Sequence, residues 1–331
     1  MIGRNIIVIG ASAGGVQALL GIVEQLPASL NAAIFIVLHI GSSQSRLPEV
    51  LGRKSLLPVE HPYDGQAIMP GHIYVAPPDF HMMLEKNRIR LVHGPKENFT
   101  RPAIDPLFRS AALAFGTNVV GVILSGQLDD GTAGLIAVKD RGGVAIVQDP
   151  AEAVAPSMPR SAAACVAVDH VCTAGAIAQL LVNYDPAGEI VPGVAPAIEP
   201  RQQVPSSAAY RDEQHEFDPA GLPSQLTCPE CGAVLYQLRD ERLLRFRCLS
   251  GHAMSARALL ARLAASREGV IWSTIRSLTE EATLVRHIAD RPNDVQADGR
   301  PGNSVDADML IALAATLHET LSTWALPPRG P

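Results

Sequence analysis

Apolar runs that break into glycine or a polar residue recur through the first half of the chain. Residues 5–10 (NIIVIG), 32–40 (AAIFIVLHI), 118–126 (NVVGVILSG) and 142–149 (GGVAIVQD) are nearly continuous hydrophobic stretches of strand length. That is the pattern of strands buried on both faces of a parallel sheet. Between the first two, Val16, Leu19, Leu20 and Val23 fall at helical spacing and Pro27 closes the segment, which predicts a βαβ unit. Within residues 58–93, short strand-like runs flank the turn residues Glu85, Lys86 and Asn87, so a hairpin is expected to decorate the sheet. Residues 1–190 are therefore expected to form a three-layer α/β domain with a doubly wound, mostly parallel, Rossmann-like sheet.

Beyond residue 190 the pattern changes. Residues 191–224 are rich in proline and polar residues without sustained periodicity and read as a flexible linker. In the compact cysteine-containing stretch 225–254, AVLYQL (233–238) and LLRFRC (243–248) predict the two strands of a hairpin. Residues 255–331 carry two helical stretches, about Ser255 to Asp290 and Val305 to Trp324. The first has an apolar stripe of Leu259, Leu263, Ile271, Ile275, Leu278, Ala282 and Val285, suited to a packed helical hairpin or an oligomer contact. Its polar face mixes both charges, which argues against a membrane device.

Composition narrows the partners. The chain has 331 residues, enough for about two domains, and its 47% hydrophobic and 18% charged content is that of a globular protein. A net charge of −6 with no basic run gives no electrostatic footprint for nucleic acid or an anionic membrane. No stretch reaches the ~18–20 apolar residues of a membrane span and no leader is evident, so a cytoplasmic, non-embedded protein is expected. Cys165 and Cys172 stand alone while Cys228, Cys231 and Cys248 cluster, and five is an odd number: this is no disulfide framework.

The first strand runs into Gly10-Ala11-Ser12-Ala13-Gly14, which admits two chemistries. A dinucleotide-binding turn needs glycine where Ser12 stands, and the acid expected after the second strand is replaced by His39 and Ile40. Ser42, Ser43 and Arg46 could still serve the 2′-phosphate of NADP. Alternatively, G-x-S-x-G at a strand-to-helix turn holds a serine hydroxyl above the carboxyl edge of the sheet. Such a serine needs a base and a group that orients the base. His39 ends the second predicted strand, and Asp129 and Asp130 follow another, so all three residue types come from the edge where open parallel sheets bind ligands. Singly, each is also an ordinary helix cap, strand-end histidine or turn residue.

At a larger scale the segments VIGASAGGVQAL, VLHI, GHIYVAPPDFHMML, TRPAIDPLFRSAA, VILSGQLDDGTAGL and VQDPAEAVAPSMPRSA, in this order, resemble the catalytic domain of the chemotaxis protein-glutamate methylesterases, the CheB type. The resemblance covers about residues 4–185. It implies Ser12 as nucleophile, His39 as general base and acid, and Asp130 as the residue orienting the imidazole, with the backbone amide of Gln127 stabilising the oxyanion; Ala13, directly after the nucleophile, is the second donor expected of such a turn. It implies hydrolysis of glutamate γ-methyl esters on a chemoreceptor-like protein, with glutamine deamidation at the same site and no catalytic cofactor. A chemotaxis-type methyltransferase and a separate receiver protein are the further partners implied, because no receiver domain fits ahead of a strand that begins by residue 6.

Two departures bear on this. Leu128 stands where the family loop carries glycine, which raises the alternative of a catalytically silent signalling protein if that position needs φ > 0. Asp129 competes with Asp130 for the orienting role.

The cysteine cluster has its own logic. Cys228-x2-Cys231, sixteen intervening residues, then Cys248-x3-His252 are zinc-ligand spacings, with Gly232 and Gly251 placed to let each pair turn toward one ion. A redox dithiol would leave Cys248 and His252 unused and lacks a thioredoxin-like context. The expectation is a zinc-ribbon-like module closed around a structural zinc.

Overall fold

A computed structural model describes residues 5–39, 45–183, 221–289 and 306–323. The apolar runs form a seven-stranded sheet: β1 (Asn5–Ala11), β2 (Ala32–Leu38), β3 (Val59–Glu60), β4 (His72–Val75), β7 (Val119–Ile123), β8 (Val144–Gln148) and β9 (His170–Cys172). The order across it is β3-β4-β2-β1-β7-β8-β9, and every pairing is parallel. The expected hairpin is present as β5 (His81–Glu85) and β6 (Arg88–Val92).

Strand alternation divides the core in two. Ile6 and Val8 join Phe35, Phe108 and Leu135 on one face, under α3 (Ile104–Phe115), α4 (Thr132–Asp140) and α5 (Ser157–Cys165). Ile7 and Ile9 join Leu19, Ile22, Leu51 and Ile177 on the other, under α1 (Gly15–Val23), α2 (Leu47–Gly52) and α6 (Ala174–Asn183). Because both faces are covered, the strands need hydrophobic side chains in both directions, and this is why they read as unbroken apolar runs. The three-layer α/β reading holds.

The cysteine module has more strands than its sequence suggests. β10 (Gly221–Thr227), β11 (Val234–Leu238), β12 (Arg245–Cys248) and β13 (Ala253–Ser255) make a four-stranded antiparallel sheet in that order. The last residues of the expected linker are thus already strand, and residues 191–220 of it lie outside the described residues. Residues up to Leu259, this small sheet included, form one compact unit. The ribbon therefore packs on the α/β domain.

The two expected helices are α7 (Ala256–Ala289) and α8 (Ala307–Thr323). From Leu260 onward they constitute a second unit, in which Ala282, Leu310 and Ala314 are buried, Arg286 pairs with Asp308 at 2.7 Å and Trp272 meets the His318 ring edge-on. Among the described residues no helix is long and apolar enough to cross a membrane.

Candidate active site

β1 and β2 pair with Ala11 opposite Leu38, so Ser12 and His39 leave adjacent strands side by side, and the His39 N–H donates to the Ala11 carbonyl at 3.2 Å. On the other side of β1 the chain leaving β7 folds over the sheet edge. There the Ser12 N–H donates to the Ser125 carbonyl at 2.9 Å. Asp130 closes the set: its Oδ2 lies 2.8 Å from His39 Nε2. Asp130, not Asp129, meets the histidine. With Nε2 committed to the carboxylate, Nδ1 is the ring nitrogen left to serve a serine, the reverse of the assignment in chymotrypsin-type proteases.

Asp130 is buried and saturated with donors. Oδ2 also accepts the Ile104 N–H at 2.7 Å, and Oδ1 accepts the Asn98 side-chain amide at 2.8 Å and the Gly131 N–H at 3.0 Å. Burial pushes its pKa up, but the hydrogen bond and charge of His39 and the donors from Ile104 and Asn98 outweigh it and hold the carboxyl at about 2. The same Asn98 amide donates at 3.1 Å to Asp105, whose other oxygen accepts the Gly134 N–H. Burial, reinforced by the Asp130 charge, pushes Asp105 up to about 7. One amide thus bridges two carboxyl groups, of which one is ionised and the other keeps its proton into the neutral range.

The loop from Gly126 to Gly131 approaches the serine closely. A Cβ on Gly126 would stand 2.9 Å from the Ser12 Cβ and collide with Met158 Sδ, so only glycine fits there. The Gly126 peptide is fixed on both sides: its N–H donates to Ala155 and its carbonyl accepts from Met158, each at 2.9 Å. Gln127 follows directly and is exposed. On the opposite side the Ser125 hydroxyl donates to the Ala13 carbonyl at 2.7 Å and sets the plane of that peptide. Leu128 does adopt the left-handed conformation that the family glycine would supply, with φ 61°. Its carbonyl accepts the Ser157 hydroxyl at 2.9 Å, and its side chain packs against the ribbon core.

A cavity of about 260 Å³ opens beside His39, bordered by Lys96, Phe99, Thr100 and Arg101. Arg101 is fixed by Asp79 and the Gly94 carbonyl. Of the residues suggested for a 2′-phosphate, Arg46 pairs with Glu49 at the surface, and Ser42 and Ser43 lie outside the described residues.

The model of the CheB methylesterase family matches residues 7–181, more than half the chain. The chain belongs to the CheB methylesterase family. A relative from Leptospira interrogans, named "Putative protein-glutamate methylesterase/protein-glutamine glutaminase", is 39% identical over 181 residues, 54% of this chain and 94% of that protein. The protein-glutamate methylesterase/protein-glutamine glutaminase of Chromohalobacter salexigens is 37% identical over 191 residues, and the match spans only 54% of its length. The crystal structure of the Thermotoga maritima CheB methylesterase catalytic domain superposes with a TM-score of 0.53 at 34% identity, covering 55% of this chain and 98% of that one. In this CheB-family chain the ribbon lies beyond the matched residues.

Within the ribbon, Cys228, Cys231, Cys248 and His252 present ligand atoms that all lie within 4.8 Å of one another. Cys231 Sγ and Cys248 Sγ are 3.5 Å apart, as are Cys248 Sγ and His252 Nδ1. A tetrahedron built on zinc–sulfur bonds of about 2.3 Å has edges of roughly 3.8 Å, so the four residues fit one zinc ion. Gly232 and Gly251, at φ 74° and 89°, turn the two ligand pairs inward.

Residues carrying no motif complete the site. Asn98, within Lys96-Glu97-Asn98-Phe99, bridges Asp105 and Asp130; it and Phe99 are left-handed, at φ 48° and 64°. Asn98 Oδ1 accepts the Ser255 N–H at 2.9 Å, and the Ser255 hydroxyl donates to Asp129 at 2.6 Å. Burial raises the Asp129 pKa, partly offset by that hydroxyl. No pattern in the sequence marks Asn98 or Ser255, because their roles depend on contacts 32 and 126 residues away.

Proposed function

We propose that this chain hydrolyses the γ-methyl esters of glutamate side chains on a chemoreceptor-like protein, and deamidates glutamine at the same site. The observation that carries the reading is the bonded His39–Asp130 pair one strand from Ser12, beneath a fixed glycine loop. His39 takes the Ser12 proton as Oγ attacks the ester carbon. The amides of Ala13 and Gln127 hold the oxyanion, and Asp130 orients the ring and stabilises the imidazolium. The proton passes from His39 to the leaving methoxide, methanol departs, and an acyl-enzyme remains. His39 then activates water, which releases the glutamate carboxylate and frees Ser12.

The silent-protein alternative drew on Leu128, and the left-handed path that Leu128 follows removes its motive. Family membership leaves the NADP reading without support. We further assign Cys228, Cys231, Cys248 and His252 to a structural zinc: four protein ligands leave no open position for chemistry. A cytoplasmic site of action, with a chemotaxis-type methyltransferase as the opposing activity and a separate receiver protein as regulator, completes the proposal.

The test is methanol release from a methylated receptor fragment by the full chain and by Ser12→Ala. Release that the variant loses supports the assignment. Equal release by both, or none from a folded full chain, overturns it.

A further inference from the structure

The ribbon grips both segments that hold Asp130. On one side, β13 pairs with residues 96–98: the Asn98 N–H donates to the Ala253 carbonyl at 2.8 Å, and the Ser255 N–H donates to Asn98 Oδ1. On the other, the Ser255 hydroxyl holds Asp129 while accepting the Ala258 N–H as the cap of α7, and Leu128 packs against the ribbon core. Buried charge fastens the junction. Glu97 is clasped by Arg109 of α3 at 2.6 and 3.0 Å and faces Arg245 of β12 at 3.7 Å. Arg242 makes a two-pronged bond to Asp140 at the end of α4.

The ligand turns themselves lie in this junction. Glu230, between the first two cysteines, meets Lys96, and a side chain on Gly251 would run into Pro95. His252 immediately precedes Ala253, whose carbonyl receives the Asn98 N–H. One peptide bond therefore separates the metal site from the contact that sets Asn98, and Asn98 contacts Asp130 directly. The ribbon core is only seven side chains, two of them the ligands Cys228 and Cys248. A core of that size relies on its ion as well as on the α/β domain it packs against.

We propose that the metal-held ribbon is a clamp on the catalytic loop: it makes Asn98 and Ser255 positioning residues for Asp130, and metal occupancy sets the turnover number. The clamp itself stands on geometry, and only its kinetic arm rests on the esterase reading. Loss of the ion frees β13, releases Asn98 and lets residues 126–131 leave the path that Leu128 adopts against its preference.

The experiment uses the full chain, zinc-loaded, chelator-stripped and reloaded with zinc alone, together with Ser255→Ala. Hydrogen exchange at residues 126–131 is expected to quicken about tenfold or more on stripping. Misplacing the dyad lowers kcat by about 10- to 100-fold. KM changes less than about threefold, and zinc restores both. Ser255→Ala keeps its zinc but loses roughly fivefold in kcat, the value of about one hydrogen bond. That variant decides the matter even if stripping unfolds the ribbon, provided kcat is referred to titrated active sites, since an unfolded fraction lowers the apparent kcat at constant KM whereas a misplaced dyad slows each intact site. Unchanged exchange and kcat within twofold in the stripped chain, or a Ser255→Ala chain like the wild type, overturns the clamp. A loaded chain that releases no methanol overturns the esterase reading instead, and hydrogen exchange then decides the clamp.

Discussion

Leu128 sits in a conformation that leucine disfavours, and substitutions there separate backbone strain from packing. A non-glycine residue in the left-handed region costs about 1–2 kcal/mol. Full burial of leucine is worth about 1.5–3 kcal/mol, so the half-buried side chain on the ribbon core recovers roughly 1 kcal/mol. Leu128→Ala keeps the strain and loses the packing, and should destabilise the zinc-loaded chain by about 1 kcal/mol. Leu128→Gly loses the same packing but sheds the strain, offset by about 0.4–1 kcal/mol for the freer unfolded chain. Glycine should therefore be more stable than alanine by about 0.5–1 kcal/mol, the opposite of the order within helices and strands. Urea titrations of the three proteins, followed by far-UV circular dichroism at one zinc concentration, give the ranking. An alanine variant equal to or more stable than the glycine variant would refute the left-handed assignment at φ 61°.

Two further outcomes follow from the carboxyl groups. Asp130→Asn leaves the shape but cannot stabilise an imidazolium, and kcat should fall by about 10³- to 10⁴-fold with the fold intact by circular dichroism; a loss under tenfold would move the orienting role elsewhere. Asp105 is raised from 3.8 to about 7, so the folded state binds its proton more tightly than the unfolded state. Its contribution to stability is fully present below about pH 4 and is lost as pH rises through about 7. Carbon-13 NMR of the aspartate carboxyls should show one resonance titrating near neutrality, and complete ionisation by pH 5 would contradict the burial of Asp105 beside the Asp130 charge.

The parallel core was legible because strands covered on both faces leave continuous hydrophobic runs, and the hairpin because turn residues divide its strands. Ser12, His39 and Asp130 were legible as residues at strand ends, Ser12 within G-x-S-x-G and Asp130 before Gly131. What stayed hidden depends on contacts distant in sequence. Asn98 lies in a polar stretch with no periodicity, whereas Asp130, preferred over Asp129 for its motif position before Gly131, is the one that meets His39, and Asp129 faces Ser255. The ribbon's outer strands were missed for local reasons. β10 carries Pro223 and exposes most of its residues, and β13 is only three residues long. Neither offers the buried alternation that announces a strand.

The pairing of Glu97 with arginines from both α3 and β12 sets a limit on where this chain can be divided. The family match stops at residue 181, yet a chain cut there would leave Arg109 as the remaining partner of Glu97, strip the Ser255 donor from Asn98 and Asp129, and uncover Leu128. Ancestry and compactness draw different borders in this molecule. The inherited catalytic unit ends with α6, whereas the compact unit that carries the dyad extends to Leu259, in the first turn of α7.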